Sequence, residues 1–212
     1  LEVAPLAPLH NYGEAAAIEY CREKYPELPN VAVFDTSFHM TMPEVAYTYA
    51  LPKDVCDKYH VRKYGAHGTS HRYEWMMAKE ILGSRCHRLL SCHLGNGASL
   101  AAIEDGVCRD TTMGLTPLDG LMMGTRCGSI DPATVCYLQR EGGYTFDEVD
   151  EMMNKKSGLM AVTGGKTNDC RNVEELAAAG DPEAQLAFDM FVYKIAAKAA
   201  ETRATFKECM DD

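Results

Sequence analysis

The sequence predicts an α/β fold, and three observations predict it. Between Leu89 and Thr112 lie three short β-compatible runs separated by glycine-bearing turns, which read as an antiparallel meander. After them come helix-start signals: Asp131-Pro132, Thr145 with Glu148 three residues later, and Asp181-Pro182. Hydrophobic residues make up 46% of the 212 positions, enough for a sizeable core in one large or two small domains.

In chain order, the prolines at 5 and 8 predict an extended stretch over Leu6–Asn11. A helix is expected over Glu14–Tyr25, with Ala17, Ile18 and Cys21 on one face and Pro26 ending it. The apolar run Val31–Phe34 reads as a buried strand that delivers Asp35 at its C-terminal tip, either facing a ligand crevice or merely capping a turn. Phe38–Asp57 is turn-rich, and Arg62–Ala66 reads as a short strand. A helix follows over Ser70–Leu82, with Tyr73, Met77 and Ile81 spaced four apart and Gly83 stopping it. The meander comprises Leu89–Cys92, Ala98–Ile103 and Val107–Thr112. Beyond it, helices are expected from Pro132 to Arg140 and from Thr145 to Asn154. Lys155–Gly158 reads as a solvated turn and Gly164–Thr167 as an ordinary loop without the spacing of a Walker motif. The last helix starts at Asp181-Pro182, with Ala184, Ala187, Phe188, Phe191, Ile195 and Ala199 on its packing stripe.

Charge and composition narrow the function. A net charge of −10 argues against a nucleic-acid surface, though local arginines still allow an anionic substrate. No apolar run approaches the ~20 residues of a membrane span, and no signal peptide opens the sequence. Nine cysteines without a C-x-x-C pair favour reduced thiols and a cytoplasmic setting. Cys86-His87 and Cys92-His93 raise a zinc reading, which is disfavoured because neighbours on a strand face opposite sides.

Two segments carry the chemistry. Glycines flanking Asn96 in His93-Leu94-Gly95-Asn96-Gly97 let backbone N–H groups converge on one anion. In Gly124-Thr125-Arg126-Cys127-Gly128, small residues around one arginine admit a bulky polyanion to its guanidinium. Thr69, Ser70 and the first N–H groups of their helix offer a further anion site. From residue type alone, His67 and His71 read as structural more often than catalytic.

The runs HLGNGASLAAI, TTMGLTPLDGLMMGTRCGSIDP, VAVFDTSFHMTMPEVAYTYALP, RKYGAHGTSHRY and NKKSGLMAVTG resemble the acetate kinase family, part of the acetate and sugar kinase/Hsp70/actin superfamily. The resemblance extends from Leu6 to about Tyr193. It implies an actin-like ATPase (ribonuclease H-like) fold, a mixed sheet flanked by helices. Residues 1–36 would be a remnant of the first actin-like domain and residues 37–212 most of the second. It implies phosphoryl transfer from ATP, with Mg2+, to acetate, in a cytoplasmic homodimer without nucleic-acid or membrane partners. Arg126 and His67 match transition-state stabilisers. Asp35 matches an aspartate often given an acid/base role, which suits better the organising of magnesium-bound water, because a carboxylate substrate is already ionised at neutral pH. His93, Leu94, Gly95, Asn96 and Gly97, with Asp169, Cys170 and Arg171, match nucleotide-binding segments, and Leu9, Ala66 and Pro117 match the apolar pocket for the substrate methyl. The family's chains are about twice as long, so these residues read as a central fragment. Its carboxylate-binding arginine, adenosine motif and magnesium-linked glutamate would lie outside it. Three departures stand out: Ser129 for an aspartate, Cys127 for a serine beside Arg126, and Ala66 for a phenylalanine. Alternative readings are a propionate or butyrate kinase, and a non-catalytic nucleotide-binding remnant.

Overall fold

The computed structural model describes residues 8–206, with side chains from Asn11 onward. At its centre β1 (Arg88–Leu94), β2 (Ala98–Glu104) and β3 (Val107–Thr111) form an antiparallel sheet in the order β1-β2-β3. Register pairs Leu89 with Ile103, Ser91 with Ala101 and His93 with Ser99. Because side chains alternate along a strand, these six residues share one face. The apolar run of β2 is explained by burial on both sides. Ala101 and Ile103 pack with Phe38, Met42, Trp75 and Leu89, whereas Ala98 and Leu100 pack with Met113, Leu121, Met123 and Ile195.

The helices are α1 (Pro8–Lys24), α2 (Glu44–Tyr47), α3 (Lys53–Tyr59), α4 (Gly68–Leu82), α5 (Ala133–Glu141), α6 (Phe146–Lys155), α7 (Gly158–Val162), α8 (Cys170–Ala178) and α9 (Pro182–Ala204). Helix α4 covers one sheet face and α9 the other. The capping signals act as read from the sequence: Thr145 and Glu148 form a capping box, and the Asp181 carboxylate accepts from the N–H groups of Glu183 and Ala184. On α9, Ala184 and Ala187 are fully buried against α7 and α8.

Four local expectations are corrected. Pro8–Asn11 is helical rather than extended, since proline is tolerated in a first helical turn, where its missing N–H has no partner to lose. Leu6 and Ala7 lie outside the described residues. Val31–Phe34 is irregular and exposed, with Val31 at 84% and Phe34 at 70%. A strand needs a ladder partner, and among the described residues none runs beside this segment. Arg62–Ala66 is likewise no strand; its N–H groups go to the carbonyls of Tyr47 and Gly114. On α4 the apolar spacing misleads, because Tyr73 and Ile81 face solvent and the packed side carries His71, Glu74 and Trp75.

Candidate active site

Asp35 seats α4. Its carboxylate accepts from the N–H of His67 (2.5 Å) and of Thr69 (3.4 Å), and its carbonyl accepts from the N–H of Gly68 (2.9 Å). Of the first-turn N–H groups read as an anion site, that of Thr69 is therefore taken by the Asp35 carboxylate and that of Gly68 by the Asp35 carbonyl, since unmatched N–H groups at a helix start attract the nearest acceptor. His67 sits at the N-cap with φ +59°, a left-handed conformation uncommon outside glycine and typical of functional sites.

From that position the His67 ring reaches over the start of β2. Its Nδ1 lies 2.9 Å from Ser99 Oγ, and the ring stacks on His93 at 4.0 Å between centroids. Burial, then the neighbouring His93, holds the His67 pKa at about 4, against a partial upward pull from Asp35. At neutral pH the ring is uncharged, so it offers one N–H and one lone pair rather than two donors. Beneath it lies His71, fully buried between Ser91 (2.5 Å) and Ser99 (2.8 Å) and pushed by burial to about 3. His39, missed in the sequence, is also fully buried. Its Nε2–H donates to the Ala66 carbonyl at 2.8 Å, which leaves Nδ1 to meet Cys108 Sγ at 3.2 Å; burial pushes that thiol up to about 12. A single serine within the apolar run of each strand, Ser91 on β1 and Ser99 on β2, was the available sequence signal for this network.

The arginine loop closes the site from the other side. Its backbone is laced to α6 and α7: Cys127 N–H donates to Met153, Ser157 to Thr125, Leu159 to Met123 and Met160 to Gly124. In the stretch read as a solvated turn, Lys155 and Lys156 are exposed, whereas Ser157 and Gly158 back this loop. Arg126 is half-buried; its Nη1 donates to the Pro117 carbonyl (3.2 Å), and among the described residues no carboxylate pairs with it. Burial lowers its pKa without a counter-ion to restore it. Cys127 donates to the Gly128 carbonyl, and burial raises its pKa, so this thiol is not activated toward oxidation. Ser129 donates to Asp119 at 2.6 Å.

These pieces meet at the glycine turn. A methyl group on Gly97 would stand 3.1 Å from His67 Nε2 and 3.6 Å from Arg126 Nη1, and one on Gly124 would collide with Asn96 Oδ1 and the Asn168 carbonyl. His67, His93, Asn96, Gly97 and Arg126 therefore line one small cleft, and Asn168 brings the following residues to its edge. Asp169 caps α8 and is held at about 2 by Arg171, which folds back on it at 2.6 Å. Cys170, the first residue of α8, packs against the Met122–Leu159–Val173 cluster, and Leu94 is half-exposed. Gly95 is exposed, its N–H closing the turn on the Gly97 carbonyl. Ala66 packs against the Leu100–Met123 cluster, and Pro117 is tied to Arg126. The side chain of Leu9 lies outside the described residues.

Solved structures of the same architecture place the fold. A propionate kinase from Francisella tularensis subsp. tularensis SCHU S4 matches with a TM-score of 0.92 and 46% identity over 97% of this chain and 53% of that one. Porphyromonas gingivalis acetate kinase matches at 0.87 and 44% identity over 95% and 52%. The fold is that of the actin-like ATPases. In sequence the chain is 54% identical to acetate kinase 2 of Clostridium perfringens (strain 13 / Type A) over 192 residues, 90% of this chain and 48% of that protein. Residues 1–212 all match the acetokinase family, and the chain belongs to it. It spans about half the length of the curated relatives it matches.

Proposed function

We propose that this chain supplies the phosphoryl-handling centre of an acetate kinase, which interconverts ATP and acetate with ADP and acetyl phosphate. The observation that carries this reading is the convergence of His67 Nε2 and Arg126 Nη1 on Gly97. Phosphoryl transfer asks a protein mainly for alignment and for charge around the transferred group. Here a permanent cation, without a carboxylate partner among the described residues, and a stacked imidazole face a turn with no side chain in the way. The family uses ATP and Mg2+. The turn without side chains at Gly95 and Gly97 lets phosphate oxygens approach the backbone; Arg126 would neutralise them, and Asp35, fixed at the start of α4, would orient magnesium-bound water. Leu9, Ala66 and Pro117 are proposed around the acid's alkyl end. Asp169 and Arg171 are proposed at the nucleotide, with residues 37–212 in the second actin-like domain of a cytoplasmic homodimer.

A chimera tests the reading. The chain is placed in the C. perfringens relative in place of the matching segment, and acetyl phosphate is trapped with hydroxylamine. Turnover by the chimera, with background from the 212 residues alone, is expected. A folded chimera that binds ATP but makes no acetyl phosphate would favour the non-catalytic reading.

A further inference from the structure

Beneath the cleft, Glu74 anchors a hydrogen-bonded net that joins three histidines through three serines. A carboxylate only accepts, so Ser91 and Ser70 each donate their hydroxyl proton to Glu74, on Oε2 and Oε1 respectively. Ser91 Oγ must then accept from His71 Nδ1–H. His71 is neutral, so its Nε2 carries a lone pair and accepts the proton of Ser99. With that proton committed, Ser99 has only lone pairs to offer His67, whose Nδ1 must bear the hydrogen. On the second branch Ser70, already donating to Glu74, accepts from His93 Nδ1–H at 2.9 Å. Every direction in the net follows from the carboxylate outward.

We propose that Glu74 is a positioning residue that holds His67 and His93 in the Nδ1–H form, through Ser91–His71–Ser99 on one side and Ser70 on the other. Both rings then turn Nε2 toward the glycine turn: that of His67 lies 3.1 Å from a methyl group placed on Gly97, and that of His93 lies 3.7 Å from one on Gly95. Geometry and register support the assignment independently of charge. The β1–β2 pairing sets Ser99 opposite His93, and Ser70, His71 and Glu74 recur on the packed side of α4. The groups facing His67 are His39 and His71 below, His93 alongside, Asp35 at the helix start and Arg126 across the cleft. Resting on the kinase reading, the consequence is that Nε2 is kept free for the ligand. At Nε2 the neutral ring accepts a hydrogen bond from a ligand hydroxyl or a water, while Nδ1–H stays bonded to Ser99.

Imidazole-15N labelling of the 212-residue chain tests this without ATP or acetate, so the outcome is independent of the kinase reading. Long-range 1H–15N spectra above neutral pH should show pyrrole-like Nδ1 and pyridine-like Nε2 for His67, His71 and His93, assigned by single His→Gln variants. Ser99→Ala should move His67 toward the Nε2–H form that free imidazole side chains prefer and leave His93 unchanged. Ser70→Ala should do the reverse. Glu74→Gln, whose amide donates to one serine, should switch at least one of the two rings. Pyrrole-like Nε2 on His67 in the unmodified chain would overturn the proposal, as would spectra unmoved by Ser99→Ala and Ser70→Ala. These two serine variants decide the matter if Glu74→Gln fails to fold.

Discussion

His67 Nε2 and Arg126 Nη1 approach the same point above Gly97, 3.1 and 3.6 Å from where a methyl group on that residue would stand. The backbone there needs no left-handed angle, so Gly97→Ala acts through space alone. The imidazole must shift by a few tenths of an ångström, and the added methyl occupies the place proposed for a phosphoryl group. In the active chimera this substitution is expected to lower kcat by roughly 10–100-fold, the range for small misplacements of reacting groups. Stability should change by less than about 1 kcal/mol. Unaltered kcat would mean that the transferred group does not pass above Gly97.

Gly158 supports Arg126 from behind. It adopts φ +65°, and a Cβ there would lie 2.1 Å from the Met123 carbonyl and 2.8 Å from that of Arg126. Gly165 has φ +85° with open space around it, so it isolates the cost of backbone angle alone. Urea unfolding of the chain should show Gly165→Ala costing about 1 kcal/mol and Gly158→Ala about 3 kcal/mol or more. Equal costs would mean the arginine loop gives way freely.

Elements whose cause is local were legible in the sequence. The meander, the Thr145 capping box and the Asp181 cap depend on residues within a few positions of one another, and each formed as read. Val31–Phe34 was not legible, because a strand exists only where a neighbour completes its ladder, and nothing local supplies one. The α4 face failed for a different reason: what packs there is a histidine–serine–glutamate net, which hydrophobic periodicity cannot register. Gly97 and Arg126 were singled out by their glycine-flanked patterns, and His67 was identified through the resemblance to relatives. His39 lies inside one of the resembling runs and Glu74 just past another, but neither was given a role, and only their contacts across the sheet single them out.

Arg126 carries the cleft's fixed positive charge. If it stabilises charge on the transferring group, Arg126→Ala should lower kcat of the chimera by roughly 10³-fold or more, with a much smaller change in the nucleotide KM. A loss confined to KM would make Arg126 a ground-state binder only.

The buried histidines make stability fall in acid. His67 and His71 have folded-state values near 4 and 3, both depressed from 6.5 mainly by burial. The unfolded chain therefore binds protons first. Stability is fully present above pH 6.5 and is lost as pH falls through about 4 for His67 and about 3 for His71. For His71 the loss is at most about 5 kcal/mol. Urea midpoints should hold steady from pH 8 down to about 6.5 and then decline. A flat profile down to about pH 4 would show that water reaches these rings freely.

Ala66 joins buried His39 to the position proposed for the alkyl end of the acid. Its carbonyl is pinned by His39 at 2.8 Å and its methyl rests on the Leu100–Met123 cluster, with part of the residue still accessible. The resemblance puts a phenylalanine at this position in relatives, beside Leu9 and Pro117 at the alkyl end of the acid. Our hypothesis is that the smaller residue leaves room which acetate cannot fill and propionate or butyrate can, since packed surroundings relax only partly into a gap. One well-placed methylene is worth about 1–3 kcal/mol in discrimination. In the chimera, Ala66→Phe should therefore lower the propionate-to-acetate ratio of kcat/KM by roughly tenfold. The competing account is that a side chain of another segment fills the gap, so that a phenyl ring merely overpacks the core. That account predicts a lower Tm for Ala66→Phe with the substrate ratio unmoved, and measuring both quantities on the same preparations separates the two.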